Sequence, residues 1–131
     1  MESRVINPWT WQDQFAFVQA HEVTGAQRVL YCAGQTSVDG DGNPIHEGDM
    51  RAQLTQALDN LETVLGGAGL DLSNVVRLNH YTTDVDAFAE SYEVVATRLA
   101  ASGARVSSTL LGVTRLFSPP LLVEIEATAV A

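Results

Sequence analysis

The C-terminal stretch Ser107–Val130, SSTLLGVTRLFSPPLLVEIEATAV, decides the fold. Two apolar segments rich in strand-forming residues flank a loop that contains Pro119 and Pro120. In the second segment apolar and polar residues alternate, which predicts a strand with one buried face and one face that carries Glu124 and Glu126. The pattern favours two solvated carboxylates, because glutamate is almost never buried without a partner. The alternative is a functional carboxylate at Glu124, which follows three apolar residues and is therefore poorly hydrated.

Two amphipathic helices are predicted upstream of this strand pair. The first opens near Asp49 and ends at the glycine pair that starts at Gly66, and its apolar residues recur at steps of three and four. The second begins at the capping-box-like Thr83-x-x-Asp86, in which aspartate replaces the usual glutamate or glutamine, and ends at Gly103.

The N-terminal part is predicted to contribute two strands. Residues Phe15–Glu22 alternate in the manner of a first strand, and Arg28–Ala33 form a second. The turn signal Thr24-Gly25 is expected to join them as a hairpin. Gly34 ends the second strand, where a glycine indicates a bulge or a close approach of another group to the backbone.

The acidic, glycine-rich segment Asp39–Pro44 superficially resembles a calcium-binding loop. It lacks the closing glutamate and the preceding helix of an EF-hand, so a tight turn is expected instead. With a further strand over Val75–Thr82, the predicted order is β-β-α-β-α-β-β, an α+β fold in which two helices cover one face of a mixed sheet. The other face must contact water or another subunit, and the surplus of apolar strand residues favours self-association.

Length and charge restrict the class of protein. The chain has 131 residues, which predicts a single domain over residues 1–131. Its formal net charge is -9, from 16 acidic and 7 basic residues, and no basic stripe offsets it, so binding to nucleic acid is disfavoured. The N-terminus lacks the apolar core of a signal peptide and no segment is long enough to span a bilayer, so a cytoplasmic protein without a membrane partner is expected.

Cysteine and histidine give no indication of a metal or cofactor site. Cys32 is the single cysteine, so no disulfide forms within the chain, and no base or cation stands beside it in the sequence, which predicts a packed strand residue. His21, His46 and His80 lie far apart, without metal-ligand spacing.

Short motifs along the chain resemble the RidA (YjgF) family of small trimeric proteins. The matching stretches are FVQA at 17–20, CAGQ at 32–35, GDMRAQ at 48–53, ALxNL at 57–61, AG at 68–69, DVxxF at 84–88, STLLGV at 108–113 and EIEA at 124–127. Their order and spacing together are specific. The resemblance implies a chorismate-mutase-like fold and a homotrimer whose sheets face the centre, with three small-molecule clefts between adjacent subunits.

The resemblance also implies an activity. Known members of the family hydrolyse reactive enamines and imines, such as 2-aminoacrylate, to 2-oxo acids and ammonia without a metal or cofactor. The family's glutamate in the last strand, which handles water, falls on Glu124. The tyrosine that lines the family's cleft falls on Phe17, which lacks the hydroxyl. Gly34 and Thr109 are expected to line the same cleft.

The family arginine that binds the substrate carboxylate falls on Ser107. Another cation is then needed if the ligand is a carboxylate, because an unpaired buried charge costs several kcal/mol. Arg105 lies two residues earlier and, by simple alternation, is the one basic residue on the strand face of Ser107. Arg115, at the end of the same strand, is the second candidate. Each arginine is alternatively an exposed loop residue.

Two functions from different classes are consistent with these residues. One is hydrolysis or tautomerisation of imines of the 2-iminobutanoate/2-iminopropanoate type in intersubunit clefts, with Glu124 as the catalytic residue. The other is non-catalytic binding of a small acid or metabolite in the same cleft, which the losses at Phe17 and Ser107 favour. Endoribonuclease activity has been attached to parts of this family, but the net charge of -9 opposes it.

Overall fold

Strand β6 (Val123–Val130) buries every second residue, as its alternating sequence predicts, and lies inside a four-stranded sheet. The structure is a computed structural model that describes residues 1–131. The other strands and the α-helices, in chain order, are β1 (Glu2–Ile6), β2 (Ala20–Thr24), β3 (Val29–Thr36), α1 (Met50–Gly67), β4 (Val75–Thr82), α2 (Val85–Ser91), α3 (Glu93–Ser102) and β5 (Ser107–Gly112). Short 3-10 turns cover Trp11–Phe15 and Leu72–Asn74.

The four-stranded sheet has the order β3-β6-β4-β5. Strand β6 runs antiparallel to both of its neighbours, whereas β5 runs parallel to β4 at the edge. Strands β1 and β2 form a separate antiparallel pair. Helix α1 packs on β3 and β6, and α2 and α3 pack on α1. The predicted α+β class with a mixed sheet is therefore confirmed.

The core lies between the apolar face of β6 and the apolar stripe of α1. The buried residues of these two elements include Leu54, Leu58, Leu61 and Leu65 of α1 and Val123, Ile125, Ala127 and Ala129 of β6. Burying one leucine side chain contributes about 1.5–3 kcal/mol, so the four leucines alone fix α1 firmly against the sheet. Because the other residues of β6 alternate with the buried ones, its two glutamates point away from the helices.

Three predicted elements are confirmed with their boundaries. Helix α1 is capped at Asp49, whose carboxylate accepts a hydrogen bond from the backbone N–H of Ala52 at 3.0 Å. Strand β4 covers the predicted residues. The acidic segment is a tight turn, closed by the Asp39 carboxylate, which accepts hydrogen bonds from the backbone N–H groups of Asp41 and Asn43.

The predicted N-terminal hairpin is wrong. Residues Trp11–Phe15 form a 3-10 turn, and the strand begins only at Ala20. Strand β2 pairs with β1, which the sequence did not indicate, while β3 pairs with β6. No residue of β1 or β2 is buried, so neither strand has a buried face that would produce an apolar alternation.

The second predicted helix is two helices, so three helices rather than two accompany the sheet. Helix α2 ends at Ser91 and α3 starts at Glu93, with Tyr92 between them. The N-cap is Asp84 rather than Thr83, because the Asp84 carboxylate accepts the backbone N–H of Ala87 at 3.0 Å. No α-helix of the chain is long and apolar enough to cross a membrane.

A buried glutamine connects α1 to the loop that leads into β6. The Gln53 side-chain amide donates to the carbonyl oxygens of Pro120 at 2.9 Å and His46 at 3.1 Å. Its oxygen accepts the backbone N–H of Leu122 at 2.8 Å. Gln53 is completely buried, so its side-chain amide depends on these backbone partners. The glutamine therefore fixes the backbone at Leu122, directly before β6 and two residues before Glu124.

We expect Gln53→Leu to lower the free energy of unfolding by at least about 2 kcal/mol, because the Pro120 carbonyl and the Leu122 N–H lose their hydrogen-bond partner. Denaturation in urea measures this. The matched control is Gln27→Leu at an exposed position, where the change should stay within about 0.5 kcal/mol. Equal stability of the two variants would show that Gln53 does not hold the loop.

Candidate functional site

The sheet face that points away from the helices carries the polar residues of three neighbouring strands. Cross-strand pairing places Tyr81 opposite Glu124, Asn79 opposite Glu126, and Arg77 opposite Thr128. On the other side of β4, the same three residues pair with Leu111, Thr109 and Ser107. We refer to the surface formed by residues 77, 79, 81, 107, 109, 111, 124, 126 and 128 as the open face.

Glu124 lies directly on the backbone of β3 at Gly34. The register of β3 against β6 shifts between Cys32 and Gln35, which is the bulge that the glycine indicated. A Cβ atom at residue 34 would stand 1.9 Å from Oε2 of Glu124, so any other residue there would displace the carboxylate from this position. The sequence predicted a bulge or a close approach at Gly34, and the structure has both, but the sequence could not identify Glu124 as the group that approaches.

The environment of Glu124 favours its protonated form. Burial of the side chain raises the pKa of its carboxyl above the usual range, and the neighbouring carboxylate of Glu126 adds to this effect. No hydrogen bond from the chain contributes to the pKa. A half-buried carboxyl with a raised pKa and no hydrogen bond from the chain is a candidate for general acid and base catalysis.

Glu126, two residues further along β6, is held by the chain itself. Its Oε1 accepts hydrogen bonds from the Tyr81 hydroxyl and from Nδ2 of Asn79, the latter at 3.3 Å. The hydrogen bond to Glu126 raises the pKa of Tyr81, so the tyrosine keeps its proton and donates it to this bond. The two carboxylates of β6 therefore differ in availability, since Glu126 is engaged and Glu124 is free.

Arg77 of β4 takes a position that sequence analysis missed. Its Nη1 donates to Oγ of Ser107 at 3.3 Å, and its Nη2 donates to Oγ1 of Thr109 at 3.0 Å. The inference that Arg105 alone shares the face of Ser107 is wrong, because residues paired across two strands also share a face. The parallel pairing of β4 with β5 places Arg77 beside Ser107, and a single sequence does not specify that pairing.

The other predicted site residues lie elsewhere. Arg105 precedes β5 and is exposed, beside Ala16 of the N-terminal segment and Leu99 of α3. Arg115 is also exposed, in the loop after β5. Phe17 contacts a cavity on the helix side of the sheet rather than the open face. Cys32 is buried, and burial raises the pKa of its thiol, which agrees with a packed strand residue.

Within one chain, the open face consists of two separate groups. Glu124 with Gly34 lies at one end, opposite Tyr81, and Arg77 with Ser107 and Thr109 lies four residues back along β4, roughly 13 Å away. The guanidinium of Arg77 is bonded to hydroxyls of β5, which turns it away from β6. We call the group around Glu124 the glutamate half and the group around Arg77 the arginine half.

No group of three or more potential metal ligands occurs in the chain.

Comparison with known proteins agrees with the motifs of the sequence. A family model described as Endoribonuclease L-PSP matches residues 13–131. A RutC family protein of Pyrococcus horikoshii is 36% identical over 104 residues, which cover 79% of this chain and 80% of that protein. A 2-iminobutanoate/2-iminopropanoate deaminase of Rattus norvegicus is 31% identical over 70 residues, 53% of this chain and 51% of the rat protein.

The fold agrees with a solved structure over its whole length. A protein of the Rid family, YyfB from Yersinia pestis, superposes with a TM-score of 0.84 and 35% identity, covering 100% of both chains. Sequence motifs, family model and fold thus converge, and the chain belongs to the Endoribonuclease L-PSP family, the RidA (YjgF) family that its motifs resemble.

Proposed function

We propose that this protein hydrolyses small reactive imines and enamines of 2-oxo acids, with Glu124 as the catalytic acid and base. One observation carries the proposal. Glu124 is a half-buried carboxyl with a raised pKa and no hydrogen bond from the chain, in contact with Gly34. The relationship to an imine deaminase of Rattus norvegicus supports the same reaction class.

The proposed reaction needs one carboxyl group and water. Glu124 accepts a proton from water as the water oxygen forms a bond to C2 of the imine, and the electron pair of the C=N bond moves to nitrogen. The nitrogen takes up the proton. The resulting carbinolamine collapses to the C=O bond of the 2-oxo acid and releases ammonia. An enamine enters the same path after a proton is added at C3. Such proton transfers by a positioned side chain typically contribute 10²–10⁴-fold to a rate.

Arg77 is the best placed group to bind the substrate carboxylate. Its guanidinium is oriented by two hydroxyls of β5, at the strand position where the family arginine is replaced by Ser107. A planar guanidinium forms paired hydrogen bonds with a carboxylate, which few other side chains can do. Arg105 remains a candidate, but in this chain it lies near Leu99 of α3 and not on the open face.

A complete site on this proposal needs a second copy of the chain. The arginine half and the glutamate half are separated by roughly 13 Å of β4 backbone, which exceeds the length of a four-carbon acid. The open face also exposes Leu111 of β5, at 49%. At the opposite edge of the sheet, Tyr31 of β3 pairs with Thr128 and is 80% exposed. Apolar surface of this kind favours self-association. We therefore propose a homotrimer in which each cleft joins the arginine half of one subunit to the glutamate half of the next.

Non-catalytic binding of a small acid in the same cleft is the second candidate. The absence of a hydroxyl at Phe17 and of a guanidinium at Ser107 favours it, since the family pattern has both. The two candidates differ in turnover, because a binder leaves the spontaneous hydrolysis rate of the imine unchanged. Cleavage of RNA has less support, because the open face carries two carboxylates and the chain a net charge of -9.

Glu124→Gln should lower imine hydrolysis at least about 100-fold, because the amide keeps the volume but accepts no proton. The assay generates 2-iminobutanoate in solution and follows the release of 2-oxobutyrate above the spontaneous rate. The matched control is Glu47→Gln, an exposed carboxyl outside the open face that should behave as wild type. A Glu124→Gln variant with full activity contradicts a catalytic role. A wild-type protein with no turnover supports the binder.

Arg77→Ala should weaken binding of 2-oxobutyrate by roughly 1.5–3 kcal/mol, the scale of hydrogen bonds to charged groups. Titration calorimetry compares it with Arg105→Ala, which we expect to bind as wild type. Adding Ser107→Arg to the Arg77→Ala variant returns a guanidinium to the paired strand position and should restore affinity. If Arg105→Ala loses affinity and Arg77→Ala does not, the cation is Arg105, as the sequence alone suggested.

Light scattering on a sizing column should give three times the 14.1 kDa chain mass at micromolar concentration. Leu111→Asp places a charge on the open face and should release monomers without turnover. Val64→Asp is the matched control, because Val64 is a comparably exposed apolar residue on α1, and it should leave the assembly intact. A stable, active monomer would contradict the shared cleft.

A further inference from the structure

The glutamate half has two carboxylates and no cation beside them. Glu124 and Glu126 stand two residues apart on β6, so their side chains share the open face and their Cα atoms are roughly 7 Å apart. The four ion pairs of the chain lie elsewhere and involve neither glutamate. Arg77, the one cation of the open face, donates to hydroxyls of β5 instead. Within one chain, the glutamate half is therefore a region of negative potential.

Glu126 keeps one carboxylate oxygen available. Its Oε1 accepts the hydrogen bonds from Tyr81 and Asn79, whereas its Oε2 has no hydrogen bond within the chain and is not buried. Together with Asn79 and Thr128, the residue lines a cavity of about 200 Å³ on the open face. Two donors thus orient the carboxylate, and its second oxygen remains free to accept a hydrogen bond from a ligand.

The surroundings of Glu124 restrict the charge of that ligand. Burial and the charge of Glu126 raise the pKa of Glu124, which favours its protonated form. The first step of the proposed reaction needs the opposite form, a carboxylate that accepts a proton from water. A cationic group beside both glutamates would offset the charge of Glu126 and favour the ionised form of Glu124. The imine of a 2-oxo acid supplies such a group when its nitrogen is protonated to an iminium.

We propose that the substrate binds as its iminium form, and that Glu126 selects this form by accepting a hydrogen bond from the iminium nitrogen at Oε2. The inference deepens the proposed function and rests on it for the position of the cleft. The substrate then has opposite charges at its two ends. Arg77 of one subunit faces the carboxylate, and the glutamate half of the next faces the nitrogen, so the charges are complementary. The 2-oxo acid product lacks the cationic nitrogen, and Glu126 therefore does not retain it.

The reaction of the iminium balances with the groups named. The water oxygen forms a bond to C2, the electron pair of the C=N bond moves to nitrogen and cancels its charge, and Glu124 takes the water proton. Glu124 then returns the proton to nitrogen. The C–N bond breaks as ammonia leaves, the C=O bond forms, and the hydroxyl proton passes to ammonia. The products are the 2-oxo acid and ammonium.

Two ligands with the same carbon skeleton test the preference in the full chain. At a tetrahedral C2, (S)-2-aminobutyrate carries an ammonium group and (S)-2-hydroxybutyrate an uncharged hydroxyl. In titration calorimetry the wild type should bind 2-aminobutyrate at least about tenfold more tightly, because hydrogen bonds between charged groups are the stronger ones. Glu126→Gln keeps the volume and the acceptor oxygen but removes the charge, and should lower this affinity ratio at least about tenfold.

Glu47→Gln is the matched control, because it removes the same charge at an exposed position outside the open face and should keep the wild-type ratio. The wild-type comparison needs no substitution and remains decisive if Glu126→Gln fails to fold. The proposal is wrong if the wild type binds the two ligands equally, or if Glu126→Gln keeps the wild-type ratio.

The imine assay is a separate measurement, so the two proposals fail differently. A protein that hydrolyses the imine but shows no preference for 2-aminobutyrate contradicts the role of Glu126 alone. A protein that prefers 2-aminobutyrate through Glu126 without turnover supports that role and contradicts the proposed hydrolysis.

Discussion

The contact between the Glu124 carboxylate and the backbone at Gly34 is the constraint on which the proposed chemistry depends. Any side chain at residue 34 would occupy the space of the carboxylate, since its Cβ would stand 1.9 Å from Oε2. The bulge in β3 brings the backbone to this position, and the apolar residues of β6 fix the strand that carries the carboxylate. The glycine and the glutamate are 90 residues apart in sequence, and the bulge in β3 brings them into contact.

The two glutamates of the open face, Glu124 and Glu126, have different surroundings. Glu126 is engaged by Tyr81 and Asn79, and its negative charge helps to keep a proton on Glu124. Under the proposed function, the charge that binds substrate comes from a different strand than in the family pattern, because Arg77 of β4 lies beside Ser107 of β5. A guanidinium can thus be retained at nearly the same place on a sheet when it moves to a paired strand.

Elements with a buried face could be predicted from the sequence, and exposed ones could not. Helix α1 and strands β4 and β6 each bury a periodic set of apolar residues, and that period is visible in the sequence. Strands β1 and β2 are paired mainly through backbone hydrogen bonds at the surface, which leave no such trace. The motif match made Glu124 and Gly34 candidates, whereas Arg77 became a candidate only when the strand pairing was known.

A crystal structure of the assembled protein with bound 2-oxobutyrate tests the central claim most directly. We expect the ligand carboxylate to pair with Arg77 of one subunit, while the C2 carbonyl faces the Glu124 carboxyl of its neighbour, next to Gly34. A ligand whose carboxylate lies on Arg105, or whose carbonyl lies away from Glu124, would contradict it.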